Sequence, residues 1–197
     1  MTDPLLLADV AAWRSWLDEH EDSSDGVWLV LSRKGKPSPT TITYAEALDE
    51  ALCSGWIDGQ ARAGDDTTSL RRFTPRRSRS IWSVRNRDHV ARLVEQGRMR
   101  ARGQAEVDRA KADGRWDEAY AGSKDSTVPD ELATALAESP RASAMFDILT
   151  AQNRFAILFR LQSAKRPETL TRNVAKYVAM LERGETIHPQ KRTLADD

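Results

Sequence analysis

The chain has 197 residues, 40% of them hydrophobic, with 30 basic and 30 acidic side chains that sum to zero. That length can bury a core without disulfide or metal staples, and no apolar run approaches the ~20 residues of a membrane-spanning helix. The single cysteine, Cys53, excludes an internal disulfide framework and fits a reducing, cytoplasmic location. Residues 1–7, with no basic stretch ahead of the leucines, do not read as a secretory signal.

Ala8 to Glu19 reads as a helix with Val10, Trp13 and Leu17 on one face. Val27 to Ser32 is a β-rich run fit for a buried strand. Thr43 and Glu46 make a capping box. The helix it opens is predicted to bury Leu48, Ala51 and Leu52, to expose Asp49 and Glu50, and to end at Gly55. Trp56 to Ala61 and Ser69 to Thr74 read as strands joined by a hairpin turn over Gly64 to Thr67, with Pro75 stopping the second.

Beyond Ser83 the pattern is helical throughout. One helix from about Val84 or Arg87 stops at Gly97, and another from about Ala101 stops at Gly114. Pro129 and Pro140 fit first-turn positions, Pro140 behind the cap Ser139. Phe155, Leu158, Phe159 and Leu161 mark an apolar helix. Leu170, Val174, Tyr177, Val178 and Leu181 form the stripe of a last one, begun by Pro167. The expected fold is therefore α+β: a small antiparallel sheet with a covering helix in residues 1–83, a helical module in 84–187 packed on it, and a disordered tail in 188–197.

The zero net charge hides segregation. Residues 1–60 carry 4 basic and 11 acidic side chains, a balance of −7, and residues 61–116 carry 15 and 7, a balance of +8. Residues 117–197 carry 11 and 12, a balance of −1. Of the 30 basic residues 23 are arginine, whose planar fork suits carboxylate and phosphate.

Five of those arginines, Arg71, Arg72, Arg76, Arg77 and Arg79, fall within nine residues. On a strand Arg72 and Thr74 share one face, and Pro75 can turn Arg76 and Arg77 toward the same point. Ser83, as a cap, would add the N–H groups of a helix N-terminus. Trp28, Trp56 and Trp82 could wall a ring-bearing ligand, and Gln60 and Asn86 could read an amide edge. Asp58, between apolar neighbours on a strand, needs a partner. An arginine of the paired strand would supply one, and a general acid or base role is the sharper alternative. The opposing structural expectation is that the arginines pair with Asp49, Glu50 and Asp58, and that the tryptophans fill the core. Cys53 lies near a helix C-terminus, which raises a thiol pKa and argues against a nucleophile. His20, His89 and His188 lack ligand spacing, so no metal site and no cofactor is expected.

Four ordered segments, ALDEALCSGWIDGQ, RRFTPRRSRSIWS, AKADGRW and FAILFRLQSAKRPET, resemble the YdeI/OmpD-associated, or bacteriocin-protection, family, from about Trp13 to about Pro189. The resemblance implies a role in bacteriocin or stress tolerance and carries over no catalytic residues. The residues themselves point to binding of a small anionic ligand at Trp56, Asp58, Gln60, Arg72, Thr74, Arg76, Arg77, Trp82, Ser83 and Asn86. A nucleic-acid-binding protein using residues 71–115 is the second reading, and an enzyme with Asp58 as acid or base the third.

Overall fold

The computed structural model describes residues 3–122 and 125–194. Among them stand eight helices and one three-stranded antiparallel sheet of order β1-β3-β2, the expected α+β class. Residues up to Ala119 form one compact unit and residues from Tyr120 a second.

The first unit opens with α1 (Val10–His20), which starts two residues later than expected because Asp9 caps it, accepting the Ala12 N–H at 2.9 Å. Strands β1 (Val27–Ser32), β2 (Trp56–Ala63) and β3 (Thr68–Pro75) build the sheet. Asp65 Oδ1 accepts the N–H groups of Thr67 and Thr68, each at 2.8 Å, and so closes the β2–β3 turn. The β2–β3 register shifts between Asp58 and Ala61, a bulge that leaves Gly59 and Gln60 exposed. Helix α2 (Tyr44–Cys53) has both halves of its capping box, with Thr43 Oγ1 accepting the Glu46 N–H and Glu46 accepting the Thr43 N–H. It stops at Gly55, whose φ of +72° is costly for any residue with a Cβ. Helices α3 (Val84–Glu95) and α4 (Ala101–Ala112) follow in the same unit. A Cβ at Gly103 would drive into the Cys53 carbonyl, so α4 crosses the end of α2 at backbone distance.

The second unit holds α5 (Asp130–Ala137), α6 (Pro140–Asp147), α7 (Ala151–Gln162) and α8 (Pro167–Glu182). Pro140 stands at N1 behind Ser139 as expected, whereas Pro129 is itself the cap residue of α5. Val174, Tyr177 and Leu181 of the α8 stripe are buried, together with Leu132, Leu136, Met145, Phe146, Leu158 and Leu161. Phe155 and Phe159 instead flank Tyr120, at 6.3 and 4.9 Å between ring centroids. The buried Asn153 holds the segment after α8, accepting the His188 N–H at 2.8 Å and donating to the His188 carbonyl and to Gln190 Oε1, both at 2.9 Å. Chain order thus continues past His188 through polar bonds that no hydrophobic pattern announces.

Helix α2 is the axis of the first unit. On one side it packs with α1 and the sheet around Trp13, Leu17, Leu29, Phe73 and Trp56; on the other it meets α3 and α4 around Trp82, Val90, Leu93 and Val107. Every residue from Ala47 to Cys53 is buried, and this corrects the expected exposure of Asp49 and Glu50. Between neighbours on both sides, the later turns of α2 leave no water for these two acids, whereas Ala45 and Glu46 of its first turn stay exposed. Glu50, only 2% exposed, instead takes a two-pronged bond from Arg14 at 2.9 and 2.7 Å and further bonds from Arg98 at 2.7 Å and Arg100 at 3.3 Å. Asp49 accepts from Arg92 at 2.7 and 2.9 Å and from His89 at 3.1 Å. Burial pushes both carboxyls up, but the hydrogen bonds outweigh it and hold both below the ordinary carboxylate range.

Glu50→Gln keeps the side-chain shape and removes the charge on which three guanidiniums converge. It should lower the unfolding free energy at neutral pH by about 3 kcal/mol, read by urea denaturation. A carboxyl depressed in the folded state stabilises above its unfolded pKa and loses that contribution as the pH falls toward the folded value. The gap between parent and variant should therefore shrink as the pH drops below about 4.3. A gap that is constant with pH would contradict the ionised, paired state.

Candidate functional site

The sequence singled out one continuous basic segment, and the fold distributes it. Trp56 is fully buried, donating its indole N–H to the Glu21 carbonyl at 3.3 Å and standing edge-on to Trp16 at 5.9 Å. Trp82 lies in the separate core beside α3 and α4, 4.9 Å from Trp116. Trp28 belongs to neither core cluster and is stacked by Arg62 at 4.0 Å. The three tryptophans therefore form no common wall: the register puts Trp28 and Trp56 on opposite faces of the sheet, and the turn after Pro75 carries Trp82 to the other core.

The arginines separate in the same way. Arg76 is buried over the face of Trp82 at 3.5 Å and donates to the Ile81 carbonyl at 3.2 Å. Arg72 pairs across the ladder with Trp28, on the face opposite to that of Arg71 and Phe73. Arg77 and Arg79 are exposed in the turn after β3, where the Arg77 N–H bonds Ser80 Oγ at 2.9 Å. Ser83 caps α3 by accepting the Asn86 N–H at 3.1 Å, and its side chain is buried in that task. Thr74 and Asn86 are half-buried, and Gln60 is exposed at the bulge.

Asp58 does have its arginine on the paired strand, and that arginine is Arg71, with Nη1 3.8 Å from Oδ2. The shorter bond to the same oxygen comes from Tyr44, whose hydroxyl donates at 2.8 Å. Arg71 also covers the Tyr44 ring at 4.7 Å and donates to the Gly59 carbonyl at 3.2 Å. Arg85, from the first turn of α3, approaches the same ring at 6.0 Å. One phenol, one carboxylate and two guanidiniums thus meet beside the bulge. Burial, then the Asp58 charge and hydrogen bond, push the Tyr44 hydroxyl up to about 12. Tyr44 and Arg85 escaped the sequence reading. The capping box fixes Tyr44 at the head of α2, but only the strand that follows Gly55 brings Asp58 back to it.

Of the fifteen basic residues in 61–116, at least seven are ion-paired within the first unit: Arg71, Arg92, Arg98, Arg100, Arg102, Arg109 and Arg115. Among the described residues, Arg62, Arg72, Arg77, Arg79 and Arg85 have no carboxylate partner. Cys53 is buried, and burial, followed by the Glu50 charge, pushes its thiol up to about 11, which removes it as a nucleophile at neutral pH. No group of three or more His, Cys, Asp and Glu among the described residues converges on one point. No helix among them is long and apolar enough to cross a membrane.

Asp58→Asn should bring the Tyr44 hydroxyl down from about 12 toward the ordinary ~10, with burial still holding it above that value. Difference absorbance near 295 nm against a Tyr44→Phe variant isolates this phenol from the other tyrosines. An unchanged titration would show that the bond does not form in solution.

Residues 5–106 match a family model described as a domain of unknown function (DUF8412), and residues 125–184 match one described as "Bacteriocin-protection, YdeI or OmpD-Associated". FAILFRLQSAKRPET lies within the second match, whereas ALDEALCSGWIDGQ and RRFTPRRSRSIWS lie within the first. No curated protein and no solved structure matches the chain. With more than half its length in the first match, the chain belongs to the DUF8412 family, and its helical unit carries a YdeI or OmpD-associated, bacteriocin-protection domain.

Proposed function

We propose that the protein is a cytoplasmic ligand-binding protein, acting in bacteriocin or stress tolerance, that takes a small anion on the basic side of its first unit. The bacteriocin association rests on the description of the family matched by the second unit. The anion reading rests on one observation: Arg71 and Arg85 both lie over the Tyr44 ring, and Arg85 has no carboxylate partner among the described residues. Arg71 is only loosely satisfied by Asp58 at 3.8 Å, so its fork remains able to grip a second oxyanion. Two guanidiniums flanking one carboxylate leave a net positive charge, which a phosphate or carboxylate would neutralise. Asp58 then serves to hold Tyr44 and Arg71 in place. The exposed Gln60 at the bulge offers an amide to the same ligand. Arg72 and Arg77 widen the positive surface around it.

The nucleic-acid reading loses ground for a physical reason. A duplex needs many cations facing outward together, and Arg92, Arg98 and Arg100 are turned inward on Asp49 and Glu50.

Thermal denaturation against a panel of inorganic phosphate, phosphorylated metabolites and di- and tricarboxylates tests the proposal. A true ligand at a hundredfold excess over its Kd should stabilise the parent by about 2.7 kcal/mol. Arg71→Ala and Arg85→Ala should each abolish that gain. The reading fails if no anion shifts the parent, or if the shift survives both changes. A shift produced only by oligonucleotides, with a steep loss in salt, would put the nucleic-acid reading first.

A further inference from the structure

On the second unit α5 and α8 lie side by side and leave an open groove of about 870 Å³ between them. Its floor is small and apolar, with Ala135 from α5 and Val174, Ala175, Val178 and Ala179 from α8. Its rim is acidic. Asp130, Glu131 and Glu138 line it from the α5 side and Glu182 from the α8 side, and no basic residue lines it. No basic side chain among the described residues forms an ion pair with Asp130, Glu131 or Glu138.

The charges mark the two ends of the groove. Ser139, just past α5, donates its hydroxyl to Glu182 Oε1 at 2.7 Å, which sets Glu138 and Glu182 at one end. Asp130 and Glu131, at the start of α5, mark the other. Thr171 to Glu182 is twelve residues of α8, about 16 Å or three helical turns at 1.5 Å per residue. Such a floor, with alanines that admit close approach, matches the apolar stripe of one short helix. Carboxylates at both ends match basic residues flanking that stripe.

We propose that this groove docks a cationic amphipathic helix, about three turns of which lie along α8 with lysine or arginine at each end meeting the acidic rim. An anionic or purely apolar partner would leave four carboxylates facing like charge or dehydrated without a counterion, a cost such interfaces avoid.

The test uses the full chain and a fluorescently labelled sixteen-residue amphipathic helix of lysine and leucine, followed by anisotropy. Binding should weaken as salt rises. Glu131→Gln with Glu138→Gln should weaken it about fivefold, as expected for two exposed charge contacts. Ala175→Trp, or Thr171→Trp as a second blocking change at an exposed position, should abolish it without altering net charge. The proposal is overturned if the glutamate–leucine analogue binds equally well, or if both blocking variants retain the parent affinity. It is equally overturned if light scattering shows a dimer that Ala175→Trp dissolves, since a second copy would then be the occupant.

Discussion

Glu50 carries a charge in a place almost closed to water, and the first unit is organised around keeping it satisfied. A lone carboxylate there would protonate or unfold the helix that bears it. Arg14 reaches it from α1, Arg98 from the α3–α4 connection and Arg100 from the residue capping α4. Arg100 also bonds Ser54, and its backbone N–H caps the Cys53 carbonyl at 3.1 Å. One side chain of α2 therefore holds three other segments against it. Apolar packing alone tolerates sliding, whereas a two-pronged guanidinium bond fixes direction and distance. Asp49, one residue away, repeats the arrangement with Arg92 and His89 and ties α3 to the same helix.

This arrangement gives the charge segregation of the chain a structural meaning. Part of the excess of acid before residue 60 meets the base after it: Asp18, Asp22, Asp49, Glu50 and Asp58 pair with Arg100, Arg102, Arg92, Arg98 and Arg71. Much of the arginine that looks like an electrostatic footprint for a polyanion is spent on the protein's own carboxylates. What remains outward is smaller: Arg62 over Trp28, Arg72 on the opposite face from Phe73, Arg71 with Arg85 around Tyr44, and the exposed Arg77 and Arg79.

The two units present opposite chemistry. The first leaves guanidiniums beside a strand bulge, and the second leaves carboxylates around an apolar groove. The helical unit earns its rigidity from polar ties as well as its core, since Asn153 secures the segment at His188 and Gln190 that follows the last helix.

The sequence by itself determined the local elements: the capping box at Thr43, the stop at Gly55, the hairpin closed by Asp65, the stripe of α8 and the α+β class. Each depends on residues near one another in the chain, where capping, turn chemistry and periodicity act directly. It also determined that Asp58 would need an arginine from the neighbouring strand, because pairing follows from the hairpin. Tertiary structure alone decided that Asp49 and Glu50 of α2 would be turned away from water. An amphipathic pattern distinguishes apolar from polar positions but cannot register that α3 and α4 return over the polar side bringing counterions with them. For the same reason Trp28, Trp56 and Trp82 went to different places, and Tyr44, unremarkable in the chain, came to stand beside Asp58, Arg71 and Arg85. Contacts between residues forty or fifty positions apart, such as Asp49 with Arg92 and Glu50 with Arg98, depend on how whole elements pack. No local rule encodes that packing.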